Sequence, residues 1–431
     1  MTASNGNGNA QSPPRKIVVV GGGIIGVMSA YYLSRHASFR RGIDAITLLE
    51  ASGIAGGASG KAGGLLALWA YPRCLVPLSF RLHRELAEEF GGAKRWGWRS
   101  VGCGEVECLG RAVGGSQEGG EMEGEHVGLG KREGQGEVSS AAAAARLKKA
   151  GVPKDLDWLD SGAVKGYEAM AESGATAQVH PRKFTEAMAA YAAEGGVEIK
   201  TQARVTGIEY STDGSAVQGV TYVDRKADQE MKLPATDIVV AAGPWTQRVL
   251  PTAPISGMRA HSVTIKPERE VSAYALFTQI RLTKDLGKSG GKKARKTEQT
   301  VTPEIYARPD DEVYACGDGD RLVPLPSTTD DVAVDLNRCQ DIVDYVGSIS
   351  APLRNGEVTA RQACYLPSVN ASGSGGPLVG LEGTKGLVVA AGHSCWGIQN
   401  APATGLVVSE FVFEGRARSA RVEGLDPRLV M

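Results

Sequence analysis

Ile17-Val18-Val19-Val20-Gly21-Gly22-Gly23-Ile24-Ile25-Gly26 is the stretch whose reading decides the fold. Four apolar residues in a row read as a strand buried on both faces. The glycines that follow have the spacing Gly21-x-Gly23-x-x-Gly26 and open a helical pattern that runs to about His36. In a strand–turn–helix unit, Gly21 permits the tight turn. Gly23 lets a pyrophosphate approach the backbone, and Gly26 lets the helix lie close to the sheet. The unpaired N–H groups of that helix start, which include those near Gly22, Ile24 and Ile25, favour a phosphate. A second strand, 45–50, ends at Glu50, 24 residues after Gly26. A carboxylate there suits both ribose hydroxyls and disfavours a 2′-phosphate, so the unit predicts a dinucleotide other than NADP.

The next segment separates NAD from FAD. Ala51-Ser52-Gly53-Ile54-Ala55-Gly56-Gly57-Ala58-Ser59-Gly60-Lys61-Ala62-Gly63-Gly64 is a long run of small residues. A nicotinamide enzyme has no need of it. A flavin does, because the chain must pass close along pyrophosphate, ribityl and ring, where small residues and free N–H groups fit. A third motif, Ala391-Gly392-His393-Ser394-Cys395-Trp396-Gly397-Ile398, precedes a helix predicted over 397–414. A helix start facing the flavin N1/C2=O edge would stabilise the charge that grows there on reduction. Pro402 reads as a first-turn proline of that helix.

Outward from these motifs the chain organises itself. Strands are predicted at 197–200, 203–210, 217–223, 238–242 and 386–391, and a helix at 183–194. The nucleotide-type elements fall in three blocks, 15–74, 180–250 and 358–431. The blocks between them, 75–179 and 251–357, must build a second domain inserted into the first, in keeping with 431 residues. Residues 1–14 are polar and Gly/Asn-rich, and a disordered tail is expected. Residues 114–136 hold fourteen Gly or Glu in 23 positions, and residues 281–296 hold seven Lys or Arg. Both read as disordered insertions.

Composition limits the function classes. Lys plus Arg equals Asp plus Glu at 48 each, which gives no support for nucleic-acid or membrane-surface binding. No window is long and apolar enough for a transmembrane segment. Seven cysteines without framework spacing, and Cys103 and Cys108 without a second pair, predict reduced thiols, no metal site and a cytoplasmic location.

Taken together, residues 20–26, 58–64, Ala241-Ala242-Gly243-Pro244-Trp245 and Gly392-His393 resemble, in order, the D-amino-acid-oxidase-like superfamily of FAD enzymes. That superfamily includes glycine, sarcosine and fructosyl-amine oxidases. The resemblance implies an α/β FAD domain of Rossmann type with a parallel sheet, plus an α+β substrate domain with a mainly antiparallel sheet. It also implies FAD as cofactor and contacts from Gly21, Gly22, Gly23, Ile24, Ile25, Gly26, Glu50, Ala51, Ala58, Ser59, Gly60, Gly63 and Gly64. Val205 would read the adenine through its backbone, Gly243 would close a strand near the nucleotide, and Gly392, Trp396, Gly397 and Ile398 would line the ring. The implied chemistry is oxidation of a C–N bond in a small amine or amino-acid-like substrate, with oxygen or another acceptor taking the electrons. An FAD dehydrogenase of a hydroxy acid is the alternative enzyme.

The match is nearest to a fungal branch. One yeast member there is an oxidoreductase linked to endosome-to-Golgi traffic, which implies a trafficking partner and an endosome association as a third reading. Several positions depart from the family. Leu366 stands where relatives place a carboxylate-binding Arg, with Arg308 or Arg361 as substitutes. Residues 313–320 lack the lysine that sarcosine oxidases use toward oxygen. Cys364 falls where relatives attach FAD through a thioether, and a small buried residue is the competing reading; Cys395 is a second thiol near the flavin segment. The catalytic candidates are His261, Arg308, His393 and Trp396, each with a structural role as the alternative.

Overall fold

The computed structural model describes residues 13–111, 140–286, 295–371 and 376–431. Residues 1–12 of the tail expected over 1–14, and the whole of the 114–136 insertion, lie outside the described residues.

Lys16–Val20 sits inside a sheet that, among the described residues, has six strands. Their order is Leu378–Leu381, Leu387–Ala391, Asp237–Val240, Lys16–Val20, Ala45–Leu49 and Val197–Lys200. The pairs are parallel except the edge pair Leu378–Leu381 with Leu387–Ala391. The unbroken apolar run of Ile17–Val20 follows from burial on both faces. Ile17 and Val19 point to one side, where they meet helices Ile24–Arg35, Pro181–Glu194 and Gly397–Glu414 through Met28, Leu33, Phe184, Met188, Ala401 and Val408. Val18 and Val20 point to the other, where they meet Val205, Val220 and Tyr222 of a three-stranded antiparallel sheet. That small sheet is made of Ala203–Tyr210, Val217–Asp224 and Gln229–Pro234.

A second large sheet, mainly antiparallel, runs in the order Glu357–Val369, Ile255–Lys266, Glu312–Asp320, Glu304–Arg308, Tyr274–Leu286, Gly102–Leu109 and Val164–Ala169, with Arg295–Val301 also pairing Tyr274–Leu286. Its one parallel pairing among the described residues joins Tyr274–Leu286 to Gly102–Leu109. One face carries Val106, Val263, Ile265, Leu276, Ile305 and Ala315 and is buried with Trp158 and with Ile342 and Val346 of helix Leu336–Gly347. The other face carries Cys103, Ala275, Tyr306 and Tyr314. It packs with Leu65, Ala67 and Trp396, which flank the glycine-rich segments.

Three local expectations change. Glu357–Val369 belongs to the second sheet, where it pairs with Ile255–Lys266 over twelve positions, so the third nucleotide-type block starts after it. Arg281–Leu286 and Arg295–Lys296, expected within a disordered insertion, are paired strand ends, Leu286 opposite Arg295. A basic strand pair can extend a sheet when its cross-strand backbone bonds are satisfied, and composition does not register that. Residues 287–294 lie outside the described residues.

Pro402 is not in the first turn. It is the sixth residue of helix Gly397–Glu414, which is continuous through it. A proline there removes the N–H that would bond the Ile398 carbonyl. The fully buried His83, on helix Val76–Phe90, supplies the missing donor: its Nε2 lies 2.9 Å from that carbonyl oxygen. The next residue after the proline, Ala403, donates its N–H to Ser79 Oγ on the same helix as His83 at 3.2 Å. Burial pushes the His83 imidazole down to about 4, so the ring is neutral and Nε2–H is the donor.

Candidate functional site

The strand-end glycines open a cavity of about 330 Å³ between the sheets. Gly21 has φ +112°, and a Cβ on it would sit 2.5 Å from the Ala241 carbonyl oxygen, so glycine alone makes this turn. A Cβ on Gly26 would lie 2.0 Å from the Gly21 carbonyl oxygen, which is the close helix approach the motif predicts.

Of the sequence-predicted binding residues, Gly21, Gly23, Ile24, Ile25, Glu50, Ala51, Ala58, Ser59, Val205, Gly243, Gly392, Gly397 and Ile398 line this cavity. Gly22, Gly26, Gly60, Gly63, Gly64, Cys364 and Trp396 stand behind or beside it. Gly22 donates its N–H to Glu50 Oε2 at 2.6 Å, and Ser52 donates its N–H to Oε1 at 2.8 Å. Burial raises the Glu50 carboxyl, and these two donors oppose the shift. They also fix the carboxylate while leaving each oxygen a lone pair for a hydroxyl. Ser59 Oγ accepts the Ile24 N–H at 2.9 Å, which leaves its own proton free to donate to an anion at the helix start. Gly60 and Gly64 are packed against the carbonyls of Ala55 and Val179, and Gly63 lies under the Tyr306 ring.

His393 lines the cavity, is 3% exposed, and has no partner on either ring nitrogen. Burial pushes it down to about 3, so it presents a neutral donor and acceptor to whatever fills the space. Thr329 Oγ1 is also buried, unpartnered and on the cavity lining. Two orphaned polar side chains in a glycine-lined space fit a large polar group such as FAD.

Thr329 belongs to a segment that sequence reasoning missed. Ser327, Thr328 and Thr329 form a strap that lines the cavity, and Thr329 leans on Gly56. The strap is tied down by Trp245 Nε1–H to the Pro326 carbonyl at 2.7 Å and by Arg248 to the carbonyls of Leu325 and Pro326 at 2.5 and 2.8 Å. Arg225 completes it, reaching Asp330 at 2.8 Å, the Ala51 carbonyl at 2.7 Å and Gln202 Oε1 at 3.0 Å. The available signal was the polar run Ser327-Thr328-Thr329-Asp330-Asp331, which only reads as a loop.

The remaining candidates separate by their contacts. Arg308, 5% exposed, donates to the Ala62 and Gly63 carbonyls and to Glu312 Oε1, and lies over the Tyr314 ring. Its donors brace the small-residue loop. His261 Nε2 accepts the Asp335 N–H at 3.0 Å, and its Nδ1 is 3.8 Å from Asp320, which pairs with Arg259. Neither residue lines the cavity. Arg361 donates to Gln340 at the surface, while Leu366 does line the cavity. Cys364 is buried with its thiol pushed up to about 11 by burial, against the pull of Lys61. Lys61 Nζ donates to the Ala363 carbonyl at 2.9 Å. Trp396 packs into the aromatic cluster beside the cavity, 5.3 Å from Trp69 and 6.0 Å from Tyr71 between ring centroids. Cys395 is exposed and lines the cavity. No metal-binding cluster occurs among the described residues, and among them no helix is long and apolar enough to cross a membrane.

The family model described as FAD dependent oxidoreductase, DAO, matches residues 16–411. A Saccharomyces cerevisiae protein provisionally described as oxidoreductase TDA3 is 32% identical, covering 96% of this chain and 94% of its own. The Schizosaccharomyces pombe protein C1F5.03c, described in the same provisional terms, is 33% identical over 96% of this chain and 98% of its own. Among solved structures, an L-proline dehydrogenase from P. horikoshii is similar with TM-score 0.66 and 19% identity over 96% of this chain and 97% of that one. A glycine oxidase from Geobacillus kaustophilus gives TM-score 0.65 and 18% identity over 96% and 98%. At these identities the likeness is one of fold.

Proposed function

The chain belongs to the DAO family of FAD-dependent oxidoreductases, and from that membership we propose that it oxidises a C–N bond of a small amine or amino-acid-like substrate. The observation that carries the reading is the single cavity on which the strand-end glycines, Glu50, the strap and the 392–398 segment converge. Bound FAD supplies the acceptor for a hydride from the carbon next to nitrogen. In this reading, Glu50 holds the ribose, and the backbone at Gly21–Gly23 with Ser59 holds the pyrophosphate. Val205 contacts the adenine. Residues 392–398 lie along the ring, with His393 as a neutral hydrogen-bonding group. The substrate must bind with a neutral reacting nitrogen, so the chain needs no strong base at the carbon. The similar structures named for glycine, L-proline and iminodiacetate favour a nitrogen-bearing substrate over a hydroxy acid.

Purified protein should be yellow and show flavin absorption bands. Anaerobic mixing with an amine and amino-acid panel should bleach them. Bleaching by 2-hydroxy acids alone would replace the C–N assignment, and colourless protein that FAD does not reconstitute would end the reading. Acid precipitation decides the mode of attachment: flavin that all leaves with the supernatant removes the thioether at Cys364.

A further inference from the structure

The face of the second sheet turned toward the glycine-rich loop carries a carboxyl group that no residue of the site uses. Glu304 and Tyr306 lie two apart on one strand and so share a face. In register beside Glu304 stand Phe277 on one side and Cys316 on the other. A chain of aromatic rings starts beside this acid. Tyr306 packs 6.3 Å from Phe277, Phe277 lies 6.0 Å from Trp69, and Trp69 lies 5.3 Å from Trp396, all between centroids. Trp69 is 37% exposed and Phe277 and Glu304 are partly exposed, so the aromatic chain is open to solvent on this side. Its inner side adjoins the cavity through Cys395 and Gly397, which flank Trp396.

The carboxyl of Glu304 accepts the Tyr306 hydroxyl proton and has the Cys316 thiol 3.8 Å away. Among the described residues no Lys, Arg or His acts on it. A second acid, Glu105, stands across from Phe277 on the rim, held by Gln279. An enclosed carboxylate without a cation is costly, and aromatic faces and carboxylates attract the same kind of charge. Burial raises the Glu304 carboxyl above its ordinary range, and a cation from outside the chain would draw it back to the charged form.

Building on the C–N oxidation reading, we propose that this wall seats a substrate cation: an ammonium group rests against Glu304 between Phe277 and Tyr306, at the end of the aromatic chain that runs on to Trp69 and Trp396. The substrate class is then amines that carry a positively charged nitrogen besides the neutral one that reacts, with no carboxylate required for anchoring. The candidate anchors agree, because Arg308 and Arg361 are engaged elsewhere and Leu366 is apolar.

Tetramethylammonium chloride, titrated into the purified holoenzyme at constant ionic strength, tests the seat without turnover. It is read by the flavin spectrum and by tryptophan fluorescence, with sodium acetate and tert-butanol as the anionic and neutral comparators. Saturable binding of tetramethylammonium alone is expected. Glu304→Gln should weaken it about tenfold or more at unchanged flavin content. Trp69→Ala, on the exposed part of the aromatic chain, should weaken it about threefold and guards against a folding defect in the first variant. Acetate binding at least as tight as tetramethylammonium, or a Glu304→Gln protein that binds like the parent, overturns the proposal. Protein without flavin whose tryptophan fluorescence still reports the cation would remove the C–N oxidation reading and leave the seat standing. Flavin reduction by amines without any cation binding would do the reverse.

Discussion

The two walls of the site are built on different principles. The wall from the parallel sheet is mostly backbone: strand-end glycines, a helix start, and a small-residue loop whose side chains are absent or short. The second wall, a face of the antiparallel sheet that stands beside the cavity and outside its lining, is side chain: Phe277, Glu304, Tyr306, Tyr314 and Cys316 in cross-strand register. A backbone wall holds a constant ligand and tolerates almost no substitution. A side-chain wall can be rewritten residue by residue, so discrimination between substrates should reside there.

The sharpest way to break that contrast is Gly26→Val. The new Cβ falls 2.0 Å from the Gly21 carbonyl oxygen, on backbone that cannot yield. We expect complete loss of flavin from purified protein, and retention of the parent's flavin content would refute the backbone account. Next in size is His83→Ala, which strands the Ile398 carbonyl beside Pro402 and leaves a hole in a buried helix contact. The expected loss is about 2–4 kcal/mol in urea unfolding, and His83→Gln, which keeps a donor, should recover part of it.

His83 also sets an acid limit. An unfolded histidine takes a proton from about pH 6.5 downward, whereas the folded ring does so only near 4. Between those values the unfolded state holds more protons, so stability is lost as pH falls through that window. His393, pushed down to about 3, acts in the same direction. Unfolding midpoints measured from pH 7 to 4 should fall, and His83→Gln should flatten the slope.

On the side-chain wall, Tyr306→Phe removes the hydroxyl that donates to Glu304. Flavin content should stay constant while kcat/KM for the best amine drops about tenfold, from a lost hydrogen bond of ~1–2 kcal/mol. Equal damage to both quantities would erase the distinction between the walls. The smallest effect belongs to the strap. Arg225→Ala frees Asp330 at a partly exposed ion pair, and FAD release should quicken by about two- to fivefold in a dilution assay.

The backbone wall was the legible one. Ile17–Val20, the glycine spacing and the helix over 397–414 are local signals, and the structure places them within a residue or so of the reading. The side-chain wall was not legible, because its pairings join distant stretches: Gly102–Leu109 lies beside Tyr274–Leu286, and Glu304 gains meaning only from Phe277 and Cys316. Arg308 carried a substrate-anchor reading beside its structural one because its loop carbonyl partners, some 245 residues away, are invisible in sequence; the structure gives it the structural role. Pro402 misled for the same reason. A proline in the sixth position argues against a helix unless another segment repairs the backbone, and His83 lies 315 residues from the carbonyl it serves.

That repair ties the substitution histories of two positions together. A lineage that replaces Pro402 regains the intrahelical N–H and no longer needs a donor on the neighbouring helix, so position 83 becomes free to drift to an apolar residue. The reverse order, losing His83 first, passes through the broken intermediate. Related sequences should therefore show proline at 402 together with a donor at 83, or neither, with the order of change biased toward loss of the proline first.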